Sequence, residues 1–192
     1  MIDKALALIS DQIGTFLDHL PELNVSAQKK IQLSHVVKHD GSSGIPNDSL
    51  GLCLVNVEEE RVNKAQVATR MSSDGNIVSV NPEIRLNLYV IIAANFGDYK
   101  TGLAFLSGVV RCFQSSNVFT HQNVPEMDTA IERLTVDLHS LSFEQQNHLW
   151  GAIGAKYIPS VMYKIRLVTI QEAQATAVTP PVSNLGILER SL

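Results

Sequence analysis

The residue types in this chain that could do chemistry are its histidines and one cluster of carboxylates. His35 and His39 lie close together in the sequence, and imidazole nitrogens are common zinc ligands and general bases. A metal site needs three or four converging ligands, whereas the other histidines are scattered along the chain. We therefore interpret the histidines as surface residues and predict no metal site and no cofactor.

The carboxylate cluster is Glu58-Glu59-Glu60, which is followed by Arg61. Paired carboxylates perform acid–base catalysis only where their surroundings separate their pKa values, usually in a cleft. On a strand, Glu58 and Glu60 would share one face and Glu59 would lie on the other. The run is typical of a solvated strand end that discourages aggregation. The functional alternative is a charged rim that contacts a neighbouring subunit and sets its register.

Three further side chains are candidates for an interface. Trp150, the one tryptophan, lies beside glycines in a predicted short helix. Core packing is the first interpretation, and an interface anchor is the alternative, because tryptophan is enriched at binding hot spots. Phe119 and His121 lie in the segment NVFTHQNVP, which we interpret as a structured loop that could bridge neighbours in a ring.

Composition excludes several classes of protein. The chain has 192 residues, 45% hydrophobic and 18% charged, which indicates one globular domain or one domain plus a tail. The net charge is −4 and Lys29-Lys30 is the one basic pair, so we predict no nucleic-acid binding. The phosphate-binding, metalloprotease, redox and nucleophile-elbow motifs are all absent from the sequence, so we do not expect an enzyme.

The two cysteines predict the compartment in which the chain is made. Cys53 and Cys112 both lie in apolar sequence, and the start MIDKALALIS lacks the pattern of a secretory signal. We therefore expect buried free thiols in a protein made in the cytoplasm. No apolar run reaches the roughly 18 residues that span a bilayer, so we predict no membrane insertion.

Three helices are predicted from apolar spacing and capping residues. They run from a cap at Asp3 to about His19, from a cap at Asp98 to about Ser115, and from a Ser142–Gln145 capping box to Gly154. The core stripe expected for the second helix is Leu103, Phe105, Leu106, Val109, Val110 and Phe113.

Alternation of apolar and polar residues predicts five strands. They are Ile31–Val37, Leu50–Val62, Glu83–Ala94, Ile131–Leu141 and Val161–Ile170. Glu83–Ala94 is expected at the centre of the sheet, and Leu134, Val136 and Leu138 are expected to point into the core. The order α-β-β-β-α-β-α-β predicts an α+β fold with a central, mostly antiparallel sheet flanked by helices.

Two segments lie outside this pattern. Asn63–Val80 is a long connection without a clear period, and such segments are often functional or partly hairpin-like. Ala173–Leu192 is rich in Ala, Thr, Pro and Ser and reads as an extended or flexible tail that could become ordered on a partner. We therefore predict a domain over 1–172 and a tail over 173–192.

Four pieces in a fixed order carry a family resemblance. They are VNVEEERV (Val55–Val62), NPEIRLNLYVIIAANFGDY (Asn81–Tyr99), FLSGVVRCFQSSNVFTHQN (Phe105–Asn123) and LSFEQQNHLWGAIGAKYIPSVMYKIRLVTIQE (Leu141–Glu172). Together they resemble the N-terminal domain of the cap, or tail-terminator, proteins of contractile injection systems. These are phage-tail-like particles such as the Photorhabdus virulence cassettes and the Serratia antifeeding prophage.

The resemblance implies a structural role without catalytic residues. It implies a tail-terminator-like fold and a homohexameric ring that closes the inner tube and the last layer of sheath, so that sheath contraction drives the tube. The partners would be other copies of the chain, the sheath protein and the inner tube protein. Assembly would occur in the bacterial cytoplasm, in a particle that is later released or anchored at a membrane.

Sheath lattices are linked by exchanged strands, so an exposed sheet edge on a terminator could accept the last sheath arm. We expect Leu50–Val62 and Val161–Ile170 to be the candidate edges. Two other readings stay open: another structural adaptor of the same particle, at its baseplate or tube end, or a small ligand-binding or hydrolytic domain that uses His35, His39 and the glutamates. Several family members continue past this domain, and a role tied to that extension is not implied here.

Overall fold

The computed structural model describes residues 1–23, 30–60, 68–71, 77–80, 85–169 and 177–179. Its helices are α1 (Ile2–Asp18), α2 (Tyr99–Ser115) and α3 (Phe143–Ile153), and a single 3-10 turn, Pro21–Leu23, follows α1. The predicted caps of the second and third helices are confirmed. Asp98 accepts a hydrogen bond from the Thr101 N–H at 2.9 Å, and Ser142 and Gln145 form the reciprocal capping box.

The described strands form a six-stranded main sheet and a separate three-stranded sheet. In spatial order the main sheet contains β1 (Ile31–Leu33), β2 (Ser49–Glu59), β5 (Arg85–Asn95), β8 (Ser160–Thr169), β7 (Ile131–Leu138) and β6 (Val118–Thr120). Only the β1–β2 pair is parallel among these pairs. The α+β prediction is confirmed, and β5 is a central strand as expected.

One face of the main sheet carries the main core. Leu88, Val90 and Ile92 alternate along β5 and contact the buried stripes of α1 and α2 together with Tyr163 and Ile165 of β8. Each large aliphatic side chain removed from water in this way contributes roughly 1.5–3 kcal/mol. The alternation places Ile91 and Ala93 on the opposite face, where α3 and the segment around Ile45 cover them. The helices therefore sandwich one half of the sheet.

Four details of the predicted helices and strands are wrong. The first helix begins two residues early, with Met1 rather than Asp3 at the cap position, so Asp3 lies in the first turn. Leu103 and Val110 are 41% and 37% exposed, because the buried stripe of α2 is narrower than predicted. The other four residues of the predicted stripe are buried as expected: Phe105, Leu106, Val109 and Phe113. Leu138 is 59% exposed, because β7 extends past the end of its neighbour β6.

The predicted strand Ile31–Val37 is shorter than expected, because the chain folds back on itself after β1. Val37 makes an isolated bridge with Ser43 across the turn-rich segment that begins at His39. The Ser34 N–H still donates to the Leu52 carbonyl oxygen at 3.1 Å, which ends the pairing of β1 with β2. Only three residues therefore remain in the strand.

The three-stranded sheet is built from β3 (Ala68–Met71), β4 (Ile77–Val80) and β9 (Ala177–Thr179). β3 and β4 pair antiparallel, so Asn63–Val80 contains two paired strands that the predicted element order did not include. β9 pairs with β4 and follows β8, so Val161–Ile170 is not the last strand. Part of the predicted tail is therefore in a sheet. The boundary at residue 172 stays a prediction.

Candidate interaction surface

The face of the main sheet that α3 covers continues beyond α3, and there it carries polar residues. Asn87 and Tyr89 alternate with the core residues of β5 and point to the same face as Ile91. Cross-strand partners share a face, so the neighbours of these two residues complete a polar patch. We call this patch the polar face; its members are Glu58, Asn87, Tyr89, Asp137, Lys164 and Arg166.

Tyr89 is the centre of the polar face. Its hydroxyl donates to Glu58 Oε2 at 2.9 Å, and this hydrogen bond to a carboxylate raises the pKa of the phenol. Lys164 Nζ lies 5.9 Å from the centre of the Tyr89 ring, within the range of a cation–π contact. The His139 ring meets Tyr89 edge-on, with the ring centres 5.2 Å apart. The hydrogen bond orients the Glu58 carboxylate, whereas Lys164 and His139 contact the Tyr89 ring.

A second pair of charges lies beside Tyr89. Arg166 donates to Asp137 Oδ2 at 2.7 Å, and both side chains stay partly exposed. A pair in this setting contributes at most about 1 kcal/mol. Asn87 lies between Glu58 and Arg166 in the register and is only 6% exposed, yet its Oδ1 atom has no hydrogen-bond partner in the described structure. A buried acceptor without a partner is unfavourable in the isolated chain.

Only one residue of the predicted charge cluster Glu58–Arg61 is a member of the polar face. Glu58 belongs to the polar face, whereas Glu59 is the last residue of β2, lies opposite Leu86 and is exposed. Glu60 follows the strand, and its N–H donates to the Arg85 carbonyl oxygen at 2.9 Å. Arg61 lies outside the described residues. A contact role for these four residues stays a prediction.

The structure places the other predicted interface residues apart from the polar face. Phe119, the middle residue of β6, is 3% exposed and its side chain packs in the main core. Trp150 is 5% exposed in the cluster under α3, and Tyr157 meets it edge-on with the ring centres 5.5 Å apart. His121 is exposed, with Nε2 2.9 Å from the Ile131 carbonyl oxygen. Trp150 therefore occupies the position expected from the core interpretation.

The residue types that could do chemistry do not converge in the structure. The His35 and His39 rings have centres 6.2 Å apart. Among the residues that the structure describes, no group of three or more His, Cys, Asp or Glu could hold a metal ion. Both cysteines are free thiols on opposite faces of the sheet, and burial raises the pKa of Cys112 to about 11. That shift keeps the Cys112 thiol protonated and unreactive at neutral pH.

The edges of the main sheet are β1 and β6, which corrects the prediction that β2 and β8 are edges. β2 lies between β1 and β5, and β8 lies between β5 and β7. Leu50 N–H donates to the Lys30 carbonyl oxygen at 2.5 Å, and Ser34 N–H donates to Leu52. These bonds direct the backbone groups of Ile31 and Leu33 away from β2, where no described strand pairs with them.

Sequence reasoning missed most of the polar face. Of its members, only Glu58 was a candidate contact residue, and the contacts of Tyr89 with Glu58 and Lys164 were not predicted. The available signal was that Lys164 and Arg166 alternate with core residues in the last predicted strand. That signal does not identify the neighbouring strand, so the pairing could not be found.

The fold is similar to that of a sheath/tube terminator of a contractile injection system. The solved PVC sheath/tube terminator in its extended state matches with a TM-score of 0.55 and 12% identity, over 94% of this chain and 63% of that chain. The profile of the Pvc16 N-terminal domain family matches residues 7–184, so the chain belongs to this family. The resemblance seen in the sequence is thereby confirmed.

A second solved structure, the tube-terminating cap of the anti-feeding prophage, matches with a TM-score of 0.49 and 9% identity, over 72% of this chain and 48% of that chain. This chain spans 63% of the length of the PVC terminator and 48% of the length of the anti-feeding prophage cap. Comparison with curated protein sequences gives no match. Within the described residues, no helix is both long and apolar enough to cross a membrane.

Proposed function

We propose that this chain is a structural cap that ends the inner tube of a contractile injection particle and attaches to its last layer of sheath. The observation that carries the proposal is the family match over residues 7–184. The similar PVC protein is described as a sheath/tube terminator, and this role is what we transfer. The chain is not an enzyme in this proposal, and sheath contraction would be coupled to tube movement through it.

The cap would be a homohexameric ring. Closure of a ring needs two different surfaces on each subunit, since the contact is head-to-tail. The polar face supplies one surface with charges of both signs, and such surfaces set register and exclude wrong partners more than they add affinity. The charged rim Glu58–Arg61 would take part in the same contact, with the exposed His121 as a further proposed contact residue.

The experiment that tests the cap role uses producing cells that lack this chain. We expect particles whose tubes and sheaths have irregular lengths, because nothing would stop their growth. Restoring a tagged chain should restore a uniform length and place the label at the end opposite the baseplate. Uniform particles without the chain, or a label at the baseplate end, would contradict the proposal, and the second result would identify an adaptor instead. Mass photometry of the assembled cap would test for a hexamer.

Attachment to the sheath is proposed at the β1 edge. Leu33 is 44% exposed, and its backbone groups face outward, so an extended sheath arm could add to the sheet beside it. Replacing Leu33 by Pro removes this outward N–H, while Gln32 keeps the bonds to β2. We expect Leu33→Pro to weaken sheath binding by tenfold or more, on the order of the loss of one or two backbone hydrogen bonds.

The matched control for this experiment is Leu33→Ala, which shortens the same side chain but keeps the N–H. Affinity for sheath protein would be measured by surface plasmon resonance with the assembled cap. Equal affinities for both variants and the parent chain would show that the sheath attaches elsewhere. A circular-dichroism melt of each variant would verify that the sheet is intact.

A further inference from the structure

The outer edge of β6 has a different environment from the outer edge of β1. The Val136 N–H donates to the Asn117 carbonyl oxygen at 2.8 Å, and Phe119 lies opposite Leu134. Because antiparallel pairing alternates along a strand, the backbone groups of Val118 and Thr120 point away from β7. These are the groups to which another strand would bind.

The side chain of Asn123 already occupies one of these groups on each residue. The Thr120 N–H donates to Asn123 Oδ1 at 2.7 Å, and Asn123 Nδ2 donates to the Val118 carbonyl oxygen at 2.7 Å. One amide group therefore supplies the acceptor and the donor that a residue of an added strand would supply.

A tight turn holds Asn123 in this position. The N–H groups of Asn123 and Val124 both donate to the Thr120 carbonyl oxygen, at 3.1 and 2.9 Å. The Thr120 hydroxyl adds a longer contact of 3.3 Å to Asn123 Oδ1. The Asn123 side chain spans this turn to Thr120 and also reaches one step further, to Val118 in β6.

We infer that Asn123 closes the β6 edge to strand pairing and thereby directs any sheet extension to β1, the other edge of the main sheet. An incoming strand would exchange two good hydrogen bonds for two similar ones, so it would lose most of its driving force. The tethered amide also has a high effective concentration at the edge, which a free strand must exceed. Asn123 is therefore a residue that determines which edge takes a partner strand. The partner class is an extended peptide segment.

This inference concerns the isolated chain, and its test does not depend on the proposed cap function. In Asn123→Ala, amide hydrogen exchange at Thr120 should become about tenfold faster, which is the typical effect of losing one net hydrogen bond. The unblocked edge should also make the chain self-associate, so its mass in sedimentation velocity should rise with concentration above that of the parent. The matched control is Asn117→Ala, which removes an exposed asparagine from the same segment but leaves the edge occupied.

A second variant separates the closed edge from general damage to the fold. Asn123→Asp keeps an acceptor for the Thr120 N–H but cannot donate to Val118, so Thr120 should stay protected while the Val118 carbonyl is free. Protection at Val136 reports on the β6–β7 pairing and should not change in any variant. Unchanged exchange at Thr120 in Asn123→Ala, or self-association equal to that of Asn117→Ala, would overturn the inference.

Discussion

Replacing Phe105 by Ala is expected to lower the free energy of unfolding by about 3–5 kcal/mol, the usual range for a buried aromatic residue. Phe105 is 1% exposed and packs in the main core between α2 and the sheet. Its ring stacks on Phe96, with ring centres 4.8 Å apart. The loss combines the apolar surface that is no longer buried with a cavity that a close-packed core cannot fill.

The matched control for Phe105 is the same substitution at Phe143. Phe143 begins α3 and is 92% exposed, so Phe143→Ala should change the free energy of unfolding by no more than about 0.5 kcal/mol. Urea unfolding followed by circular dichroism gives both values from the midpoint and the slope. Similar losses in the two variants would contradict the packing of α2 on the sheet that is described above.

Replacing Gly44 by Ala is expected to cost about 1–3 kcal/mol or more, because a methyl group has no space there. A Cβ atom at this position would lie 2.0 Å from the His35 carbonyl oxygen, which is backbone and cannot rotate away. The Gly44 N–H also donates to the Val36 carbonyl oxygen at 2.9 Å, so the two backbone segments are held together. A shift would disturb Ile45, which is 1% exposed in the cluster under α3.

Gly151 provides a control with the opposite sign. It lies inside α3, and a Cβ atom there would meet nothing within 4 Å. Gly151→Ala should therefore stabilise the protein by roughly 0.5–1 kcal/mol, because alanine loses less conformational entropy in a helix. Thermal melts of both variants measure the difference. A Gly44→Ala protein as stable as Gly151→Ala would show that the segment around His35 is not held as described.

These stability tests also bear on the proposed function. The polar face is made of side chains on four strands, and the β1 edge depends on the pairing of three residues with β2. Both surfaces keep their shape only while the main core holds the sheet together. Variants used to study binding should therefore first be shown to unfold like the parent chain.

The sequence determined the parts of the fold that depend on neighbouring residues. The cap at Asp98 and the capping box at Ser142 are contacts between residues three positions apart, so their residue types are sufficient to predict them. The central strand was equally clear, because apolar residues at every second position of β5 must be buried wherever the strand lies. The order of the segments was also enough to identify the family that the profile match confirms.

Only the tertiary structure decided which strands are edges and which side chains meet. The Tyr89–Glu58 and Arg166–Asp137 bonds join residues 31 and 29 positions apart, and the sequence pattern is the same whichever strands are neighbours. Three-residue strands such as β1 and β6 give too little periodicity to mark a sheet edge. The exposure of Leu103, Val110 and Leu138 depends on where neighbouring elements stop. Sheet order and register are fixed by long-range hydrogen bonds and by packing across the whole core, and a local pattern of residues contains neither.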